Sequence, residues 1–223
     1  MQPEGPGLRI TILRDTPFDP AARFAHKYGG RSLIVDPLPA CSACRRPLKL
    51  SFEFDMRDPL LSFLELPVER FPILTCCDCD LSYAGNLFYV VEPRRIQVLS
   101  SDATQSFQAW DTSFPESSIQ IAPVPVEQRP DTYESEDAWD EAIRFAHFAK
   151  HQLGGKLLLV QDEHEMPCPR CNRNMQMLGQ VDSETWNYGE DHRNHGHMFG
   201  DMGILYVGFC RACGIFGTGG ECY

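Results

Sequence analysis

A chain of 223 residues that is 43% hydrophobic and 23% charged has the make-up of a soluble globular protein, with length for one large domain or two small ones. Its 31 acidic against 20 basic residues leave a net charge of −11, which disfavours a nucleic-acid backbone as main partner. The longest apolar runs are strand-sized, far short of the roughly 20 residues of a membrane-spanning helix. The first residues lack the basic and apolar regions of a secretory signal, so a cytoplasmic protein is expected.

In chain order, "DPAARFAHKYGG" (19–30) reads as a short helix, with Asp19 as N-cap and Pro20 at the first helical position. It is expected to end at Lys27, against the glycine pair Gly29 and Gly30. His26 then lies in the last turn, where a cationic imidazole complements the helix dipole. An apolar strand, "SLIV", and the first C-x-x-C, Cys41 and Cys44, follow. "RRPLK" (45–49) is the one basic cluster of note, and it reads as a solvated turn.

The next segment alternates apolar residues at Leu48, Leu50 and Phe54, the period of a strand with one buried face. "FPILT" leads into "CCDC", which holds Cys76 and Cys79, and "LFYVV", "RIQVL" and "SSIQIAPV" are further strand candidates. Pro115, Pro123, Pro125 and Pro130 break up the later part. Six acids and no bases between Asp131 and Glu141 read as a helix N-terminus. Trp139, Ala142, Ile143, Ala146 and Leu153 carry that helix to near Gln152, with His151 in its last turn, ahead of Gly154 and Gly155.

"HKYGGRSLIV" and "HQLGGKLLLV" are thus near-copies starting 125 residues apart, and the likeness continues. Setting Cys41 on Cys168 pairs Arg46 with Arg173, Leu48 with Met175, Leu50 with Met177 and Asp55 with Asp182. In each half a further C-x-x-C follows an apolar strand, after 31 intervening residues in one case and 38 in the other. The expected fold is mainly β (α+β): two pseudo-symmetric knuckle-containing halves from an internal duplication, each led by a short helix ending in Gly-Gly. Their bounds are 1–130 and 131–223.

Eight of the ten cysteines form the four C-x-x-C pairs, with Cys77 and Cys222 left over. Without a secretory signal, such pairs point to metal rather than disulfides. Two thiolates three residues apart on a tight turn face one ion, and two such turns complete a tetrahedron. Two structural Zn²⁺ are expected, one on Cys41, Cys44, Cys76 and Cys79, the other on Cys168, Cys171, Cys210 and Cys213. Iron fits the same ligands, and the choice stays open. A loop holding His192, His195 and His197 beside Glu190 and Asp191 is the only candidate for an open metal site.

No nucleophile elbow, P-loop or dinucleotide fingerprint is present. The order Gly-Gly, C-x-x-C, "MQMLGQVD", then "GDMGILYVGFCRAC" resembles the YwqG-like bacterial proteins of unknown function. It is also similar to the eukaryotic programmed cell death protein 2 family, dedicated chaperones of a small-subunit ribosomal protein. Gly154, Gly155, Cys168, Cys171, Gln180, Asp182, Gly203, Tyr206, Phe209, Cys210 and Cys213 carry the likeness. The first half departs from it with Glu53 in place of a glutamine. The resemblance implies a non-enzymatic, mostly β, pseudo-symmetric protein that binds other proteins.

The expected function is therefore a zinc-stabilised interaction module, a chaperone or adaptor for a basic protein, with no catalytic residues. A zinc-ribbon nucleic-acid binder and a metal-dependent hydrolase using the His192–His197 loop are the alternatives. The partner's identity and the oligomeric state stay open.

Overall fold

The apolar runs of the sequence become strands of one sheet in a computed structural model that describes residues 6–80, 85–101, 104–105, 114–129, 149–159, 165–183 and 203–222. The strands are β1 (Leu8–Leu13), β2 (Lys27–Tyr28), β3 (Lys49–Asp55), β4 (Arg70–Thr75), β5 (Cys79–Asp80), β6 (Asn86–Glu92) and β7 (Arg95–Ser101). They continue as β8 (Thr104–Gln105), β9 (Ser117–Pro123), β10 (His151–Leu153), β11 (Gln176–Asp182), β12 (Gly203–Cys210) and β13 (Ile215–Cys222). Eleven of them form a curled antiparallel sheet in the order β4-β3-β2-β9-β1-β10-β11-β12-β13-β6-β7, while β5 and β8 pair separately.

The curl brings the outer edge of β4 onto β6 and β13. There the Tyr89 hydroxyl donates to Pro72 O at 2.8 Å and the Thr218 hydroxyl to Leu74 O at 3.0 Å. Pro72 has no N–H to leave unpaired, which suits a strand with a partner on one side only. Inside the curl Phe52, Phe54, Phe71 and Phe216 form a chain of ring contacts 5.3–5.9 Å apart. Edge-to-face and offset contacts at such distances add to the burial of large apolar area.

Leu50 to Asp55 in β3 and Met177 to Asp182 in β11 are buried throughout. The alternation located these strands correctly, but both faces are covered, because β3 and β11 lie inside the sheet and loops pack on their second face. Their registers run in parallel. Lys27 pairs with Glu53 and Tyr28 with Phe52; Gln152 pairs with Gln180 and Leu153 with Gly179. The next ladder slips between Leu50 and Phe52 on one side, and between Met177 and Gly179 on the other.

The helix expected to end at Lys27 does not form. The Asp19 carboxylate accepts from the Ala21 amide at 2.9 Å and its carbonyl from the Ala22 amide at 3.3 Å, which makes a turn that does not propagate. Lys27 and Tyr28 are extended, paired with β3 on one side and β9 on the other. Two-sided strand pairing outweighs a weak local helix preference. The end of the second expected helix, near Gln152, is likewise strand β10, and the rest of that segment lies outside the described residues. The glycine pairs therefore close no helix.

They have φ of +61° and +65° at Gly29 and Gly30, and +67° and +64° at Gly154 and Gly155. A Cβ on Gly29 would stand 2.6 Å from Phe114 O, and one on Gly154 2.4 Å from the Phe63 ring. Left-handed backbone in such close quarters admits glycine alone. The "SLIV" stretch that follows is turn rather than strand. Among the described residues only short 3-10 helices occur, at Pro59–Leu64 and Val126–Gln128. No described helix is long and apolar enough to cross a membrane.

Candidate metal centres

The four C-x-x-C turns are shaped by backbone hydrogen bonds that aim their sulfurs. In the first, Cys41 N donates to Arg46 O at 2.8 Å and Arg45 N to Cys41 O at 3.0 Å. In the third, Cys168 N donates to Arg173 O and Asn172 N to Cys168 O, both at 2.9 Å. Each turn passes one residue through the left-handed region, Arg45 at φ 67° and Asn172 at φ 55°. Isolated bridges, Ala40 to Pro47 and Pro167 to Asn174, close the two turns at their base. The fourth turn is simpler: Gly214, at φ 65°, donates to Cys210 O at 2.8 Å and links β12 to β13.

Cys76 directly follows β4 and Cys210 ends β12, which brings the second pair of each group to the first. Cys41, Cys44, Cys76 and Cys79 form one group and Cys168, Cys171, Cys210 and Cys213 another, the sulfurs of each lying within 4.8 Å of one another. Individual separations are 3.8 Å for Cys41–Cys79, 3.5 Å for Cys44–Cys76 and 3.6 Å for Cys171–Cys210. A disulfide needs about 2.05 Å. A tetrahedron of thiolates around an ion at roughly 2.3 Å has edges of about 3.8 Å. The donor sets fit two structural metal ions.

The electrostatics of both groups are compatible with a cation there. Burial pushes the Cys76 thiol well up, and the Cys79 thiol up to about 12. The Arg173 amide, by contrast, holds Cys171 down to about 7. Four crowded sulfurs in partly apolar surroundings ionise together only when a positive ion offsets their charge. An ion held by all four sulfurs of a group would have no position left for substrate or water. Zn²⁺ and iron satisfy this geometry alike.

The other candidate residues fall elsewhere. The Nδ1 of His26 accepts from the Asp55 amide at 3.0 Å, so its proton sits on Nε2, 3.0 Å from the Asp58 carboxylate. His151 Nδ1 accepts from the Asp182 amide at 3.2 Å. Both histidines brace strands, and neither stands at a helix end. Cys77 is half-buried and packed against the main core, and Cys222 ends β13. The His192–His197 loop lies outside the described residues.

Sequence reasoning missed a buried polar network on β2, β3 and β4. Fully buried Glu53 accepts from Arg70 Nε at 2.5 Å, from the Ser32 hydroxyl at 2.6 Å and from Leu33 N at 3.1 Å. Arg70 also donates to Ala25 O at 2.5 Å, and fully buried Lys27 bonds Arg31 O at 2.6 Å and the Glu116 carboxylate. The available signal was a charged residue at apolar positions of β2 and β3. It also missed Arg211, inside the fourth turn, which donates to Leu64 O at 3.1 Å and Glu65 O at 3.2 Å and so ties the second centre to the Pro59–Leu64 helix. No protein-family model, curated protein or solved structure matches this chain.

Proposed function

We propose that this chain is a non-enzymatic protein-interaction module, stabilised by one structural Zn²⁺ in each four-cysteine group. The observation that carries the reading is the closure of both groups: four sulfurs at tetrahedral spacing leave no coordination position for chemistry. The partner is a basic protein, for which the module serves as chaperone or adaptor in the cytoplasm. Three features support this: the net charge of −11, the lack of catalytic motifs, and the likeness of 26–91 and 151–223 to the YwqG-like and programmed cell death protein 2 proteins.

The same reading takes the two centres as copies of one duplicated unit. Three pairs of coincidences support it: the β2–β3 and β10–β11 registers, the two ladder slips, and the matching turns at Cys41 and Cys168. The strand order also reads alike outward from the β9–β1 pair, as β2-β3-β4 on one side and β10-β11-β12 on the other. In this arrangement β1 of the first half pairs with β10 of the second.

Elemental analysis of the purified chain is expected to find two zinc ions per molecule, and affinity capture from the native cell a basic protein held stoichiometrically. Absence of zinc and iron overturns the metal reading. Salt-sensitive binding to DNA or RNA, or turnover lost when His192, His195 and His197 are changed to Ala, overturns the module in favour of a nucleic-acid binder or a hydrolase.

A further inference from the structure

Leu33 and Leu158 hold matching places in the two regions and have opposite fates. Each donates its backbone N–H to a side chain inside the sheet, Leu33 to Glu53 and Leu158 to Gln180 at 2.7 Å. Leu158 is 1% exposed, packed with Leu157, Met177, Ile204 and Tyr206. The Tyr206 hydroxyl, donating to Leu158 O at 2.8 Å, seals that cluster. Leu33 is 47% exposed. The strand positions that cover Leu158 are changed beside it: Tyr206, register partner of Gln180, gives way to Pro72, partner of Glu53, and Ile204 to Arg70.

What results is a recess of about 350 Å³. Its apolar wall is Leu33, Ile34, Val68 and Val91, and Glu69 and Glu92 stand on it. That volume lies within the usual range of ligand clefts, roughly 300–1,000 Å³. The recess sits where the sheet fails to close. β13 pairs with β6 only as far as Tyr89, so among the described residues no strand covers that side of Val91 and Glu92, and β4 has its single strand partner in β3. The loop presenting Leu33 is held in place, because both Leu33 N and the Ser32 hydroxyl are anchored on buried Glu53.

Two carboxylates, Glu69 and Glu92, line the recess beside one cation, Arg70. Arg70 is engaged by Glu53, Arg31 by Asp36 at 3.2 Å and Arg57 by Asp55 at 2.5 Å. Exposed Glu69 lines the opening, with Arg57 near enough to feel its charge. Arg94 lies in the turn beyond Glu92 and Arg95 opens β7, so cations follow Glu92 in the chain, and Glu69 is the carboxylate placed for a partner's cation.

We infer that this open seam is the docking site of the module: it receives an extended segment of a partner chain, with an apolar side chain against Leu33 and Val91 and a neighbouring lysine or arginine against Glu69. This rests on the interaction-module reading and locates its binding surface. Extended peptides that enter a gap between strand edges gain main-chain hydrogen bonds from the edges and selectivity from the side-chain pocket.

The test is fluorescence anisotropy of the full zinc-loaded chain with a labelled nonapeptide of alternating leucine and lysine, beside a leucine–glutamate counterpart, near physiological salt. The leucine–lysine peptide is expected to bind and the leucine–glutamate peptide not. Leu33→Asp, which makes the chain more acidic, and Glu69→Lys are each expected to weaken binding at least tenfold. Asp15→Lys, the same charge change at an exposed site elsewhere, should leave it unaltered. Failure of the wild type to bind, wild-type affinity in Leu33→Asp, or equal losses in Asp15→Lys and Glu69→Lys would overturn the proposal. Zinc is counted in every sample. Two ions without peptide binding reject the docking site and leave the metal reading standing; missing ions reject the metal reading.

Discussion

The two regions solve one hydrogen-bonding problem with different chemistry. Lys27 reaches Arg31 O at 2.6 Å where Gln152 reaches Lys156 O at 2.9 Å. Glu53 receives Leu33 N where Gln180 receives Leu158 N. Gln180 then donates its own amide to Ala149 O at 3.1 Å, whereas Glu53, acceptor only, needs Arg70 to bond the Ala25 carbonyl. One neutral amide thus does in the second region what a buried ion pair does in the first. The neutral version needs no counter-ion on the neighbouring strand, so β12 is free to place Ile204 and Tyr206 over Leu158. The ionic version demands Arg70 and leaves Leu33 uncovered.

The largest expected effect tests whether the metal centres are equivalent. Cys41→Ser and Cys168→Ser should each drop the metal content from two ions to one and remove much of the folding free energy. Structural zinc contributes about 10–16 kcal/mol in small domains, comparable with the whole stability of a protein this size. Elemental analysis and thermal denaturation check this. A variant that keeps both ions would show that its sulfur is not a ligand.

Next comes the polar exchange. Gln180→Glu buries a carboxylate with Ile204 where an arginine would be needed, and should cost about 3–5 kcal/mol by denaturant unfolding. Glu53→Gln leaves the Arg70 guanidinium only Asp55, 3.8 Å away, as counter-ion and should destabilise as well, yet Glu53→Gln combined with Arg70→Ile should recover most of the loss. If the double variant is no better than the single one, the two regions are not interchangeable solutions.

Smaller effects follow from titration in the first region. Hydrogen bonding to the Arg57 side chain, despite the opposing effect of burial, holds the Asp55 carboxyl down to about 2 from its ordinary 3.8. A carboxyl depressed by folding contributes stability that is complete above 3.8 and is lost as the pH falls through about 2. Burial also lowers His26 below its usual 6.5, against the pull of Asp58. The folded state therefore favours the neutral ring, and that contribution, full above 6.5, fades as the pH drops below it. Denaturation midpoints against pH should flatten between 4 and 2 in Arg57→Ala, and just below 6.5 in His26→Gln. Smallest of all, Arg45→Asn should stabilise by about 0.5 kcal/mol, because asparagine tolerates the left-handed conformation that Asn172 already adopts.

Much of the architecture was legible in the residues. The C-x-x-C pairs at Cys41, Cys168 and Cys210 determine their own turns, because tight local hydrogen bonds such as Cys41 N to Arg46 O span only a few residues. Apolar runs determined β4, β6, β7, β9 and β12, since burying them on a sheet needs no knowledge of neighbours. β1 and β13 were not picked out. β13, "IFGTGGEC", looks like a glycine-rich tail, yet Gly217 is flat enough to lie under the Met166 sulfur, where a Cβ would come within 2.5 Å.

The Gly-Gly pairs show the limit most clearly. A glycine in the left-handed region follows a helix or a strand equally well, so "HKYGG" is locally ambiguous. Contacts far along the chain decide it: Lys27 with Glu53 and Ser118, Gln152 with Gln180 and Arg9. The residues by themselves determined most of the long strands, the cysteine turns and a donor set that fits metal, because those depend on spacing and side-chain type over a few positions. Only the tertiary structure decided which strand lies beside which, that Glu53 is buried against Arg70, and that Leu33 stays open while Leu158 is sealed, because each depends on partners brought together by the curl of the whole sheet.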